Sequence, residues 1–234
     1  MARRPATAKR RPLSWVWALG RTLAAVVVGY LLACALLLLA YRVVEPPATT
    51  VQLQRVLEAA VAQAPYDLQY HPVPEAGQDP DVRHAAVASE DGRFYTHNGF
   101  DFEELRIARE TAERTGRPMR GASTITQQLV KNLFLTTHRS VVRKALEVPL
   151  TVLAELILSK DRILTLYLDV AEWGPGVFGI DAAARHHYGT TADALTREQA
   201  ARLVACLPAP LDRRPQDMGR TADRILTRMR QSGW

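Results

Sequence analysis

The chain has 234 residues, 47% of them hydrophobic and 23% charged, with 30 Lys and Arg against 24 Asp and Glu. That length suits one domain or two, and ample apolar content with near-balanced charge excludes a disordered chain. The two cysteines, Cys34 and Cys206, exclude a disulfide scaffold.

The net charge of +6 is concentrated at one end. Arg3, Arg4, Lys9, Arg10, Arg11 and Arg21 all precede the first acid, Glu45. Setting those six aside leaves 24 basic against 24 acidic residues, so residues 22–234 are neutral overall and give no footprint for nucleic acid. Residues 22–41 carry no charge over 20 positions, enough for a helix to cross a hydrocarbon core. The span can begin earlier, with Arg21 snorkelling. Trp15, Trp17 and Tyr41 stand where interfacial aromatics are expected. The basic flank predicts residues 1–21 as a cytoplasmic tail and the rest of the chain outside, a single-pass membrane protein.

Prolines 46, 47, 65, 72, 74 and 80 punctuate residues 42–80. This reads as an extended juxtamembrane segment holding one amphipathic helix over 51–64. Residues 81–234 then form the main domain. Asp79 and Pro80 predict a capped helix whose face carries Val82, Ala86 and Glu90. Gly116, Pro118 and Gly121 form a break, after which Ser123 is expected to cap a helix with Ile125, Leu129 and Leu133. Ser140 caps the next, with Pro149 as a kink, and Ser159 opens another. Glycines 174, 176 and 179, with Pro175, form a turn; Asp181 is expected to cap the following helix. Thr196 and Gln199 make a capping box, and residues 221–230 are helical in pattern. No useful strand alternation appears, so the fold class is mainly α.

Charge also segregates within the domain. Residues 114–146 hold Arg114, Arg117, Arg120, Lys131, Arg139, Arg143 and Lys144 and no acid, while residues 90–113 hold seven acids against three arginines. Carboxylates beside a cationic stretch suit a substrate with a reactive hydroxyl and a phosphate leaving group. A basic face near anionic headgroups is the other reading, and charge alone does not choose.

The linear motifs do choose. Residues 90–99 fit ED-x-x-F-x-x-H-x-G, residues 121–132 fit G-x-STI-x-QQ-x-x-KN, residues 143–147 fit RK-x-x-E, and residues 160–168 fit K-x-x-IL-x-x-YL. In this order, over about residues 80–215, the set resembles the peptidoglycan glycosyltransferases, which polymerise lipid II into glycan strands. The resemblance implies a lysozyme-like, two-lobed α domain with a cleft. A single anchor with no S-x-x-K motif is similar to the monofunctional form, without a transpeptidase domain. Asp169 stands where the family usually has Asn, and Trp173 and His187 where Phe or Tyr is common. Pro149 stands where an ordinary helix former is expected.

The implied reaction inverts the anomeric centre in one displacement, releasing undecaprenyl pyrophosphate. It needs a general base on the acceptor hydroxyl and cations on the leaving group. Glu90 is the expected base, its pKa raised by burial and by the helix end. Glu147 is the second carboxylate by resemblance; a plain ion pair with Arg143 and Lys144 is its structural alternative. Lys131, Arg139, Arg143 and Lys144 form the candidate pyrophosphate clamp. Asp91, Phe94, His97, Ser123, Thr124, Gln127, Gln128 and Asn132 complete the expected substrate contacts. Asp91 and His97 also suit an orienting, hydrogen-bonding role. No metal-ligand spacing stands out and no cofactor is required, though a divalent cation bridging pyrophosphate stays open. The expected partners are lipid II, the growing strand, the membrane and the cell-wall synthesis machinery. A lysozyme-like hydrolase or lytic transglycosylase on finished glycan is the alternative reading, and a lipid-binding scaffold a further one.

Overall fold

The computed structural model describes residues 14–118, 121 and 123–234, so the basic residues before Trp15, and Arg120, lie outside the described residues. The described chain is mainly helical. Helix α1 (Ser14–Ala40) is apolar over Trp15–Ala40, long enough to cross a membrane. Its Trp15, Trp17, Leu19 and Leu23 are exposed, whereas Cys34, Leu38 and Tyr41 are buried. One end of the helix thus has none of the described residues packed around it. The other end docks on α6 (Val141–Ile157), and the Tyr30 hydroxyl donates to the Phe134 carbonyl at 2.6 Å. Arg162 fastens the exit of α1, donating to the carbonyls of Tyr41 and Val44 and pairing with Glu45.

Residues 42–80 are not an extended stalk. Helix α2 (Thr50–Val61) starts in a capping box of Thr49 and Gln52 and packs on α5 (Ile125–Phe134). Strand β1 (Gln69–Tyr70) pairs in parallel with β3 (Val177–Phe178), which pairs antiparallel with β2 (Glu172–Gly174). These strands have two or three residues each, too short to show alternation. Gln78 is buried and donates to Thr165 and Asp169 on α7 (Lys160–Val170). Gln78 of the segment finds its partners on the domain and β1 pairs with β3, so the segment folds with it.

Asp79 caps α3 (Pro80–Glu90), accepting from the Asp81 N–H at 2.7 Å. Val82, Ala85, Ala86 and Val87 are buried where α3 meets α9 (Arg197–Val204) and α10 (Gly219–Gln231). An unexpected helix, α4 (Phe102–Thr115), begins at Asp101 and ends at Gly116 in the left-handed conformation. The acids of that stretch are largely spent on α4 itself: Arg106 pairs with Glu103 and Glu110, and Arg109 with Glu113.

Helix α5 starts at Thr124, not Ser123. Thr124 and Gln127 form the capping box, whose reciprocal bonds satisfy two helix-end donors where Ser123 offers one hydroxyl. Ser140 and Ser159 cap α6 and α7 as expected. Pro149 sits inside α6, which continues through it; the lost donor faces the carbonyl of Ala145, an exposed residue. Helix α8 (Ile180–Tyr188) begins after Gly179, and Asp181 lies inside it instead of capping it. Gly179 has φ +85°, and a Cβ there would meet the Asp169 carbonyl at 2.7 Å. The Asp181 carboxylate instead accepts from Arg185 and from the Ala192 N–H. The core runs continuously from Leu38 of α1 through α5 and α7 to Met229 of α10.

Candidate active site

Glu90 closes α3, so its carboxylate stands at the negative end of the helix dipole. Burial raises its pKa above the ordinary carboxylate range. Hydrogen bonds from Gln128 and Ser89, and the charges of Lys131 and Arg213, oppose that rise. Gln128 Nε2 donates to Glu90 Oε2 at 3.0 Å, and the buried Tyr167 hydroxyl donates to Gln128 Oε1 at 3.3 Å. The base candidate is therefore held by neutral donors that fix its direction. Such a carboxylate is more basic than an exposed one.

Asp91 makes different contacts. Its Oδ1 meets His97 Nε2 at 2.8 Å and its Oδ2 accepts from the Ile125 N–H at 3.0 Å. His97 Nδ1 accepts from the Gly99 N–H at 3.1 Å, which leaves the ring proton on Nε2, facing Asp91. Gly99 has φ +85°, and a Cβ would press Thr151 at 2.6 Å. The H-x-G portion of the motif thus ties the loop after α3 to the start of α5. Asp91, His97 and Asp101 also lie within metal-ligand distance of one another. Their ligand atoms are taken by protein donors, Asp101 by Arg93 and the Glu104 N–H, so the cluster does not fit a cation.

Across from Glu90, α5 and α6 bring the cations together. Glu147 is 2% exposed and takes Arg143 Nη1 at 2.6 Å and Lys144 Nζ at 2.5 Å, the i+4 and i+3 pairs expected from sequence. Arg143 Nε also donates to the His138 carbonyl, and Lys144 reaches Ser123 Oγ at 3.4 Å. Lys131, one turn after Gln128, is part-buried, and burial pulls its pKa down. The negative charges of Glu147, Glu90 and Glu172 act in the opposite sense. One ammonium thus lies within electrostatic reach of both candidate catalytic carboxylates.

Several expected contacts sit elsewhere. Phe94 is fully buried with Lys160 over its ring at 4.5 Å, so it is core, not a substrate contact. Thr124 and Gln127 spend their side chains on the capping box, and Thr124 also donates to the Gly99 carbonyl at 2.8 Å. Asp91 and His97 hold each other, with the Asp91 side chain 2% exposed. Asn132 is buried on the α5 flank facing α2, where its carbonyl accepts from Thr50. Arg139 is exposed in the loop before α6. Gln128, Lys131, Arg143, Lys144 and Ser123 remain grouped with the two carboxylates.

Two residues at the site were not anticipated. Arg55 of α2 grips Glu172 of β2 through Nε, at 3.1 Å to each oxygen, and through Nη2 at 2.9 Å. Neither lies in a helical pattern or a motif shared with the other site residues, so only the meeting of α2 with the sheet reveals them.

Comparison with known proteins shows the family. Residues 57–230 match the family described as Transglycosylase. A protein of Pseudomonas putida (strain W619) named biosynthetic peptidoglycan transglycosylase is 45% identical over 191 residues, 82% of this chain and 80% of that one. A protein of the same name from Chromohalobacter salexigens is 46% identical over 182 residues, 78% and 77% of the two chains. Another from Brucella suis biovar 1 is 48% identical over 146 residues, 62% and 65%. The chain belongs to the transglycosylase family and is a peptidoglycan glycosyltransferase, an enzyme of glycan polymerisation.

Proposed function

We propose that the chain polymerises lipid II, with Glu90 as general base. Its carboxylate takes the proton of the acceptor 4-hydroxyl as that oxygen bonds to the donor anomeric carbon. The anomeric C–O bond breaks with inversion, and its electron pair leaves on undecaprenyl pyrophosphate. Lys131, Arg143 and Lys144, with Arg139 at the loop edge, receive the charge that builds there. Glu147 holds Arg143 and Lys144 in place before substrate arrives and aligns the donor. Gln128 aims the base, and Ser123 offers its hydroxyl to substrate oxygens. No cofactor enters this scheme; a divalent cation would travel with the pyrophosphate. The observation that carries the reading is the contrast of a neutral-held carboxylate, Glu90, with a cation-held one, Glu147, whose charges both act on Lys131.

In this reading α1 is a single-pass anchor in the inner membrane, its N-terminus cytoplasmic and the domain outside, where the membrane supplies the lipid-linked donor. Domain boundaries follow as a tail over 1–21, a span over 22–41 and a catalytic domain over 81–234 with which the segment over 42–80 folds. The cell-wall synthesis machinery is the expected setting.

The deciding experiment incubates full-length protein with labelled lipid II and resolves products by length. Long glycan strands are the expected result. Cleavage of finished glycan without use of lipid II would overturn the reading in favour of a hydrolase. A reporter fused after Trp234 should be active only outside the cytoplasm; cytoplasmic activity would overturn the orientation.

A further inference from the structure

The cations of α6 are reached through a short link, residues 135–140, between α5 and α6. A link without regular structure keeps one course only where its backbone groups find fixed partners. Helix α2 supplies them. Thr50 donates to the Leu135 carbonyl. One turn on, Gln54 holds Thr137 at two points: its Oε1 accepts from the Thr137 N–H at 2.8 Å, and its Nε2 donates to the Thr137 hydroxyl at 2.7 Å. The same Nε2 donates to Glu58 Oε1 at 2.6 Å, so the amide is oriented from its own helix as well. Gln54 is buried, which makes these bonds stronger than they would be in water.

The next residue of the link, His138, offers the carbonyl that receives Arg143 Nε at 2.9 Å. Arg143 Nη1 meets Glu147 at 2.6 Å. Two bonds from different directions fix the plane of the guanidinium, and among the described residues its Nη2 has no partner. The Glu147 bond is made within α6 and needs nothing else. The other bond depends on where the link places the His138 carbonyl, and Gln54 holds the link at the adjacent residue.

Resting on the proposed lipid II reaction, we propose that Gln54 is a positioning residue: by holding Thr137 it sets the His138 carbonyl that aims the Arg143 guanidinium at the departing pyrophosphate. Without Gln54, Arg143 keeps Glu147 but loses its second fixed bond, and its charge spreads over more directions. A cation that acts as charge develops on the leaving group governs kcat more than KM.

The test measures kcat and KM of full-length protein with labelled lipid II for wild type, Gln54→Leu, Arg143→Ala and the double variant. Gln54→Leu is expected to lower kcat roughly threefold to tenfold, the cost of misplacing one charge-stabilising group. Its KM should stay close to wild type. Once Arg143 is gone there is nothing left to aim, so the double variant should fall within about twofold of Arg143→Ala. A merely structural Gln54 would lower the rate by the same factor with or without Arg143. Multiplying losses in the double variant, or Gln54→Leu at the wild-type rate, overturns the proposal. If Gln54→Leu does not fold, Thr137→Val takes its place; its loss must likewise vanish in the Arg143→Ala background, and a wild-type rate or multiplying losses there overturns the proposal too. Arg143→Ala at the wild-type rate would remove the clamp of the proposed reaction and this inference with it. A slow Arg143→Ala with multiplying losses counts against Gln54 alone.

Discussion

Glu90 and Glu147 are two carboxylates of one site in opposite environments. Glu90 ends a helix, takes its hydrogen bonds from the amide of Gln128 and the hydroxyl of Ser89, and has its pKa pushed up by burial. Glu147 lies mid-helix, is more deeply buried, and is compensated by two cations on its own α6. Burial without a countercharge makes a proton acceptor; burial with two cations makes an anchor that holds positive charge in position. The same residue type thus serves two tasks because the neighbours differ.

The largest test of this contrast is Glu90→Gln. Gln keeps the shape and can still accept from Gln128, but cannot take a proton. Polymer formation should fall roughly 10²–10⁴-fold while thermal stability stays close to wild type. A variant retaining half the wild-type turnover would remove Glu90 as base.

A third carboxylate extends the comparison away from the site. Asp169 is fully buried, one oxygen has no partner, and burial pushes its pKa to about 8. Gln78 and the Val73 N–H meet its other oxygen, while Glu45 and Arg162 act on it with opposite charge. At neutral pH the protonated acid presents a carbonyl and a donor, as an Asn would, which accounts for the departure at this position. Its folded pKa lies above the unfolded value of about 3.9, so this group favours folding most at low pH. That contribution is lost as pH rises from about 4 to about 8. Asp169→Asn should therefore stabilise the protein by a few kcal/mol at pH 8 and by less at pH 5. Equal gains in urea unfolding at both pH values would contradict the assignment.

The cation side is sharpened by grading its members at saturating lipid II. Arg143, 17% exposed and doubly engaged, should cost roughly tenfold in saturated rate when changed to Ala. Lys144→Ala, at 48% exposed, should cost less, and Arg139→Ala least. Normal saturated rates in Arg143→Ala and Lys144→Ala would return the stretch to a surface role.

The smallest expected effect concerns the setting of the base. Activity should fall as pH drops through the Glu90 pKa, at a higher pH than an ordinary glutamate allows. Gln128→Leu removes a donor that favours the ionised form, so the midpoint should move further up, by less than about one pH unit. A midpoint that does not move would show that Gln128 does not set the base.

Much of this was legible along the chain because it depends on local spacing. An uncharged run of 20 residues reads as an apolar helix wherever it is placed. The Asp79-Pro80 start, the Ser140 and Ser159 caps and the Thr196 capping box are short-range bonds between residues two or three apart. The Glu147 ion pairs follow from i+3 and i+4 geometry alone. Thr124 displaced Ser123 because only Thr124 has a Gln three residues on to reciprocate its bond.

Tertiary structure decided what depends on residues distant in the chain. Phe94 and His97 carry motif positions, yet whether such a residue faces substrate or core is settled by what packs over it: Lys160 for the one, Asp91 for the other. The proline-rich segment became part of the domain because β1 finds β3 more than a hundred residues later and Gln78 finds Asp169. Arg55 and Glu172 are 117 positions apart, and no periodicity links them. Sequence determined which groups were available, since helical spacing and side-chain chemistry are local. Burial and charge pairing determined which of them stayed free to react, because desolvation and Coulomb energy depend on three-dimensional neighbours.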